Sequence, residues 1–453
     1  MKIDNIKKVY LIGIGGIGMS GLARYFNHNG YRVSGYDKTQ TSLTKELEKE
    51  GIDVIYQDLR SRIPSEFLSD AVETLVIYTP AVQKSADVVR AFEEGGHRLH
   101  KRSEVLGYLS ASKFTVAIAG THGKTTTSTM VAHILTESGR SCSAFLGGIA
   151  LNYDSNVLFS DSNLMVVEAD EFDRSFLTLH PNVAIVTSMD ADHLDIYGNH
   201  QQLIDSFQMF IGQVKPSGVR IIRKGLQLPS DYFYAAGSIS DVFADNIRIV
   251  DGEFYFDFHQ GDEVIPDIHL GIPGTHNIEN AVAAIAASRA CGVENVAIKS
   301  ALSSFKGIKR RFQYIVKNAR SIYIDDYAHH PTELEAIFQA VNQLYPEKKL
   351  TVIFQPHLFS RTRDFVGDFA RVLSFEGIDQ LILMPIYPAR EEPMPGVDAD
   401  WLLGKITASS KTLLNEAQVL DHVRERRPEL VLTVGAGDID RLVGPIKELL
   451  SHA

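Results

Sequence analysis

The run Thr115-Val-Ala-Ile-Ala-Gly-Thr-His-Gly-Lys-Thr-Thr-Thr127 joins an apolar, strand-like stretch directly to a small-residue turn and a helix start. Val116 to Ala119 suit a buried strand, and Gly120 permits a tight turn. Thr121, His122 and Gly123 then expose successive backbone N–H groups before Lys124 and Thr125 open a helix. Donors of this kind at a helix start suit a polyphosphate. Lys124 reaches its terminal phosphates, Thr125 meets a magnesium ion, and Thr126 completes the loop. The spacing is shorter than the strict Walker pattern, because position 118 is Ile where that pattern has Gly, so an ordinary glycine-rich turn is the competing reading.

A chain of 453 residues has room for two to four domains, and its 44% hydrophobic content supplies substantial cores. A formal charge of −11 argues against general adhesion to nucleic acid. Cys142 and Cys291 form no metal-binding series and read as reduced thiols of a cytoplasmic protein. No stretch has the length of a membrane span, and the N-terminus lacks the apolar body of a secretory signal, so no integral membrane contact is expected.

Strand-like and helix-like segments alternate along the chain, which predicts an α/β fold. In the first part the strands are Lys8–Gly13, Tyr31–Asp37 and Thr74–Tyr78, with helical runs over 18–28 and 87–94. A second part starts with the strand into Gly120 and continues through Leu164–Glu168 and Val183–Thr187. Shorter alternating segments between Ile247 and Leu270 suggest an antiparallel portion, and an Ala-rich helix is expected over Asn280–Ala290. The last part carries apolar strands at Ser321–Asp325, Leu350–Phe354, Gln380–Met384 and Leu430–Val434. The expected domains are 1–112, 113–313 and 314–453.

Gly13-Ile-Gly15-Gly16-Ile17-Gly18 leaves a strand and opens a helix, and Asp37 lies near the end of the next strand. Alone this pattern suggests NAD. A glycine turn recognises a diphosphate by geometry, however, so Gly15, Gly16, Ile17, Gly18 and Asp37 equally suit a UDP-sugar, and a structural turn is the third reading. Nothing nearby offers a clear hydride-transfer site.

Val166-Val-Glu168-Ala-Asp170-Glu171 places carboxylates after an apolar run. Glu168 is the first magnesium candidate; Asp170, Glu171 and Asp173 are candidates to bind metal, orient water or cap the next segment. His193, within Thr187–Asp195, is a candidate ligand for a second divalent ion. Closure of an α/β crevice by satisfied polar groups is the alternative for both. His276, Asn277 and Asn280 contact adenine or tie the binding loop to the Ala-rich helix. Arg311 is a candidate to stabilise charge on a transferred phosphate, with Arg310 as a surface partner. Asp325-Asp326-Tyr327-Ala-His329-His330-Pro331 positions ATP or an amine, or anchors a loop; structural zinc is the weaker reading because adjacent residues do not share one direction. Arg361 and Arg363 reach alternate sides of a loop and suit phosphate or an amino-acid carboxylate, against a solvated pair.

Taken in order, these motifs closely resemble the Mur ligase family. The resemblance rests on Gly13–Gly18, Gly120–Thr126, Glu168–Glu171, Asp192-His193, His276–Asn280, Arg310–Phe312, Asp325–Tyr327, His329–Pro331, Gln355–His357, Ser360–Arg363 and Tyr387–Pro393. It implies three domains: an N-terminal Rossmann-like one for the UDP-sugar, a central P-loop ATPase-like one for ATP and magnesium, and a C-terminal Rossmann-like one that closes over the reactants. It further implies ATP-dependent amide formation between UDP-N-acetylmuramate and L-alanine through an acyl phosphate, in cell-wall precursor synthesis.

Within that picture Thr125, Glu168 and His193 hold magnesium. Lys124, Glu168, His193 and Arg311 serve the chemistry. ATP meets the loop from Gly120 to Thr126, together with His276, Asn277, Asn280, Arg311 and Asp326. His329, His330, Arg361 and Arg363 position the amino acid. The modified lysine of several relatives is not assigned, because no lysine lies between His193 and Lys215. The nearest rival is the related ligase that attaches a preformed tripeptide. A nicotinamide-dependent oxidoreductase and a noncatalytic ATP-sensing module stand further off, and both a monomer and a homodimer stay open.

Overall fold

The computed structural model describes residues 5–190, 197, 199–389 and 391–451. The first sheet consists of β1 (Lys8–Ile12), β2 (Arg32–Tyr36), β3 (Asp53–Ile55), β4 (Thr74–Tyr78) and β5 (Leu99–Lys101). All its pairings are parallel, in the order β3-β2-β1-β4-β5. The strand order reverses between β1 and β4, and such a reversal opens a crevice at the carboxyl ends of the strands. The glycine turn after β1 therefore sits where a ligand is expected.

The second sheet holds β6 (Phe114–Ala119), β7 (Ser143–Ala150), β8 (Ser155–Leu158), β9 (Leu164–Glu168), β10 (Val183–Val186), β11 (Val219–Arg223), β12 (Tyr232–Ala236), β13 (Val242–Val250), β14 (Glu253–Gln260) and β15 (Glu263–Leu270). Its order is β15-β14-β13-β12-β11-β10-β6-β9-β7-β8. Both neighbours of β6 run parallel to it, with Ile118 opposite Glu168 and Ala119 opposite Val186. The loops that leave β6, β9 and β10 consequently emerge side by side. Two-residue connections at 251–252 and 261–262 join β13, β14 and β15, and only antiparallel strands can be joined so tightly. The outermost of them, β15, contains Pro266, followed by Asp267 at φ +56°.

The third sheet is β16 (Gln313–Lys317), β17 (Ile322–Asp326), β18 (Leu350–Phe354), β19 (Gln380–Leu383), β20 (Lys411–Leu413) and β21 (Leu430–Val434), in the order β16-β17-β21-β18-β19-β20. Only β16 is antiparallel to its neighbour.

By contact the chain divides into two compact units: Met1–Arg248 with Tyr255–Leu270 and Ile278–Lys306, and Ile249–Phe254 with Gly271–Asn277 and Gly307–Ala453. In the first unit one apolar core runs through both sheets, from Val9, Leu22 and Phe26 to Ala117, Val167 and Phe207. Helix α1 (Ile17–His28) packs on its own sheet and on β7 and β8. Its buried Arg24 donates from Nη1 to Asn156 Oδ1 at 2.7 Å and from Nε to Glu50, while Asn156 Nδ2 donates to the Ile17 carbonyl at 2.6 Å. A charge that deep is tolerable only because its donors are met on both sides.

The α/β class holds, and most strands fall where apolar runs predicted them. The Ala-rich helix differs, since it runs over Thr275–Ala290 and so begins before Asn280. Gly274, at φ +105°, turns the chain into the helix, and Ile278 already lies on its buried face. Strand β16 was not expected, because its Gln-Tyr-Ile-Val-Lys sequence is only partly buried at a sheet edge. Among the described residues no helix is long and apolar enough to cross a membrane.

Replacing Asn156 by Ala removes the acceptor of a buried guanidinium. The expected loss is about 2 kcal/mol of unfolding free energy, read from urea denaturation; an unmoved midpoint would show that the link between α1 and β8 contributes nothing.

Candidate active site

The loop after β6 is shaped by two close approaches. Gly120 has φ +136°, and a Cβ there would lie 2.1 Å from Thr187 Oγ1. Gly123, at φ +81°, caps helix α2 (Lys124–Glu137), and a Cβ there would lie 2.7 Å from Asn280 Oδ1. Thr187 and Ser188, which directly follow β10, stitch the loop down. His122 N–H donates to Ser188 Oγ at 2.7 Å, Thr121 N–H to the Ser188 carbonyl at 3.2 Å, and Asp190 N–H to Thr121 Oγ1 at 3.0 Å. This corrects one expectation: the N–H groups of Thr121 and His122 are engaged within the protein. The donors that helix geometry leaves for a phosphate are those of Lys124, Thr125 and Thr126 in the first turn.

Lys124 points back over the loop. Its ammonium donates to the Gly120 carbonyl at 2.6 Å and pairs with Glu171 at 2.9 Å, and the Glu171 side chain is only 1% exposed. Burial works against the charged lysine, but Glu171, Asp170 and Glu168 outweigh it and hold its pKa above the ordinary value. Glu168, the last residue of β9, accepts from Gly147 N–H at 2.9 Å. A Cβ at position 147 would lie 2.2 Å from both carboxylate oxygens, so the absence of a side chain there makes room for Glu168. The Thr125 hydroxyl and the Glu168 carboxylate are hard oxygen donors, the type magnesium prefers. His193 and Asp192 lie outside the described residues, as does the side chain of Asp173. Among the described residues no group of three or more His, Cys, Asp or Glu is placed to hold a metal.

A cavity of about 450 Å³ runs from the glycine turn to these carboxylates. Gly16, Ile17, Gly18 and Asp37 line it together with Gly147, Glu168 and Asp170, and Lys101 and Arg102 also face it. That volume falls in the range of roughly 300–1,000 Å³ usual for ligand pockets. Asp37 accepts from Gly15 N–H at 2.8 Å, so one of its oxygens braces the turn. Arg102 reaches Asp170 at 3.4 Å, and a Cβ at Gly18 would strike its guanidinium. Sequence reasoning missed Arg102 and Ser188; neither stands in a recognisable pattern.

Asn280 accepts from Thr127 Oγ1 at 3.2 Å, which ties its helix, α3 (Thr275–Ala290), to the loop helix. Asn277 donates from Nδ2 to the Pro273 carbonyl at 2.6 Å, and the neighbouring His276 is exposed.

In the second unit, Asp326 is a loop anchor: its two oxygens accept from Phe312 N–H at 2.6 Å and Ala328 N–H at 2.7 Å. Burial pushes its pKa up to about 6, against the pull of Arg311. Arg310 pairs with buried Asp325 at 3.0 Å. Arg311 lies 5.4 Å from the Tyr327 ring and 3.9 Å from Glu333. His330 caps helix α4 (Pro331–Leu344), accepting from Thr332 N–H, and packs edge-on against Phe365. The short helix α5 (Phe359–Asp364) sends its two arginines different ways. Arg361 meets His357 Nδ1 at 3.2 Å, whereas the exposed Arg363 pairs with Asp364. His329, His357, Arg361, Arg311 and Glu333 thus come together, while His330 and Arg363 turn elsewhere. Sequence reasoning gave Glu333 no role, although His330-Pro-Thr-Glu333 has the spacing of a capping box.

Three family models match in succession: "Mur ligase family, catalytic domain" over residues 8–114, "Mur ligase middle domain" over 118–288, and "Mur ligase, glutamate ligase domain" over 310–439. A UDP-N-acetylmuramate–L-alanine ligase of Parabacteroides distasonis is 48% identical, over 99% of this chain and 98% of its own. One of Flavobacterium johnsoniae is 47% identical over the whole of both. The crystal structure of the UDP-N-acetylmuramate–alanine ligase of Thermotoga maritima superposes with a TM-score of 0.83 at 25% identity, covering 98% of this chain and 99% of that one. A murein peptide ligase of Psychrobacter arcticus shares the fold at TM-score 0.72 and 23% identity, covering 99% of each chain.

Gly147→Ala is expected to displace the Glu168 carboxylate and raise the magnesium concentration for half-maximal turnover about tenfold or more; an unchanged requirement would separate Glu168 from the metal. The Asp326 carboxyl should titrate near pH 6 by carbon NMR, well above the ordinary carboxylate range. A carboxyl raised in the folded state favours folding below its unfolded value, and that contribution is lost as pH rises through about 6.

Proposed function

Because the chain belongs to the Mur ligase family, we propose that it joins L-alanine to the lactyl carboxylate of UDP-N-acetylmuramate, converting ATP to ADP and phosphate and supplying UDP-N-acetylmuramoyl-L-alanine for peptidoglycan synthesis. One observation carries this reading: a single cavity connects a diphosphate-type glycine turn to the carboxylates that surround a phosphate-loop lysine. The full-length relatives named for L-alanine support it over the tripeptide rival. Residues 1–112 take the UDP-sugar, 113–313 take ATP, and 314–453 position the amino acid. The cytoplasm, where both nucleotides are available, is the setting.

A carboxylate resists amine attack because it is anionic and carries no leaving group. Transfer of the terminal phosphoryl group breaks its bond to ADP and forms an acyl phosphate. The amine then attacks, the C–N bond forms, and phosphate departs. Lys124 exchanges its partner Glu171 for the terminal phosphates, and Arg311 neutralises charge on the transferred group. Thr125, Glu168 and His193 would hold magnesium, which supplies further neutralisation of phosphate charge. Arg361 meets the carboxylate of the amino acid.

Purified protein with magnesium ATP and UDP-N-acetylmuramate is expected to yield the L-alanine amide by mass analysis, with one ADP per amide and little product from glycine, L-serine or the tripeptide. No amide from any amine would end the ligase reading. Lys124→Ala should lower kcat by about 10²–10³-fold while UDP-sugar binding persists by calorimetry; normal turnover would remove Lys124 from the chemistry.

A further inference from the structure

His329 stands at the entrance to α4 in a setting that fixes the state of its ring. Nδ1 lies 3.0 Å from the Tyr327 carbonyl and 3.4 Å from Glu333 Oε2. Both neighbours are acceptors, so the ring proton belongs on Nδ1 and the lone pair on Nε2. Glu333 is itself immobilised, because its Oε2 accepts from the backbone N–H groups of His329 at 3.0 Å and His330 at 3.2 Å. The carboxylate is placed by the same capping arrangement that starts the helix. The ring meets His357 edge-on at 5.8 Å and Tyr327 at 5.5 Å, and its side chain keeps 17% of its surface exposed. A histidine oriented by a carboxylate on one nitrogen and open to a substrate on the other is the arrangement from which general bases are made.

Building on the ligase reading above, we propose that His329, oriented by Glu333, is the base that takes a proton from the α-ammonium group of the incoming amino acid. An ammonium must lose two protons to become an amide nitrogen. The first passes to Nε2 of His329 and frees the lone pair that attacks the acyl carbon; the second leaves with the departing phosphate. The electrostatics suit this cycle. Enclosure disfavours the charged ring, as do Arg361 and Arg311, while Glu333 and the Tyr327 carbonyl favour it. The ring therefore rests neutral, ready to accept, and Glu333 stabilises the imidazolium once it forms. The two arginines also favour the uncharged form of an amine brought beside them.

Hydroxylamine separates this step from the rest, because it is already an uncharged nucleophile at neutral pH and traps an acyl phosphate as a hydroxamate without a base. With magnesium ATP and UDP-N-acetylmuramate, His329→Gln is expected to lose about 10²–10⁴-fold in kcat for L-alanine and to keep hydroxamate formation within a few-fold of the unaltered protein. Glu333→Gln retains an acceptor for the helix cap but removes the charge that raises the imidazole pKa. Its acidic limb of kcat against pH should therefore move to lower pH. His329→Gln that ligates L-alanine normally, or that loses alanine and hydroxylamine products equally, would overturn the proposal, as would an acidic limb unmoved in Glu333→Gln. If the unaltered protein forms neither amide nor hydroxamate, the ligase reading itself has failed.

Discussion

A lysine ammonium enclosed in protein must be answered by negative charge, and the phosphate loop is organised around that requirement. Lys124 turns back onto the Gly120 carbonyl and into the carboxylate of Glu171, with Asp170 and Glu168 close behind. The arrangement is available because β6 and β9 lie side by side and parallel, so the loop bearing the cation and the loop bearing the anions leave the sheet together. A nucleotide phosphate offers the lysine the same kind of partner. The loop is therefore built around Glu171, and on the ligase reading proposed above, binding is an exchange of anions around one cation.

The same unit carries the glycine turn of the first sheet, and turn and phosphate loop are held in register by ordinary packing. A continuous apolar core passes through both sheets, and Arg24, Asn156 and the Ile17 carbonyl form a buried polar bridge between α1 and β8. Replacing Asn156 would leave Arg24 with its glutamates alone and strip the Ile17 carbonyl of this donor, so the bridge couples α1 to β8 through one side chain. The catalytic consequence is distance. On the ligase reading, a sugar acid held at the turn reaches the phosphate loop only if the packing keeps turn and loop at a fixed separation.

Much of this was legible in the chain itself. Apolar runs bounded by Gly and polar residues marked β4, β9, β18 and β21 to the residue, because a buried parallel strand leaves little choice of composition. Lys124 and Glu168 stood out as candidates because one opens the helix after a short glycine loop and the other closes an apolar strand. What escaped depended on contacts distant in sequence. Ser188 binds the loop 66 residues away, and Arg102 reaches Asp170 across 68. Neither has a local signature. His330 was readable as a polar group near a substrate, but the proline that follows it makes it a helix cap. The paired arginines split because residues two apart on a helix face different directions.

The outermost strand of the large sheet is also where a growing chain is most exposed to pairing with its own kind. Pro266 lacks the N–H that an incoming strand would need, and the left-handed turn at Asp267 bends the line of the backbone just beyond it. A ten-stranded sheet with a straight, fully donating margin would invite intermolecular polymerisation at high cellular concentration. This kink denies the margin a continuous template for a further strand, and Lys299, which donates to the Pro266 carbonyl, covers it from the neighbouring helix.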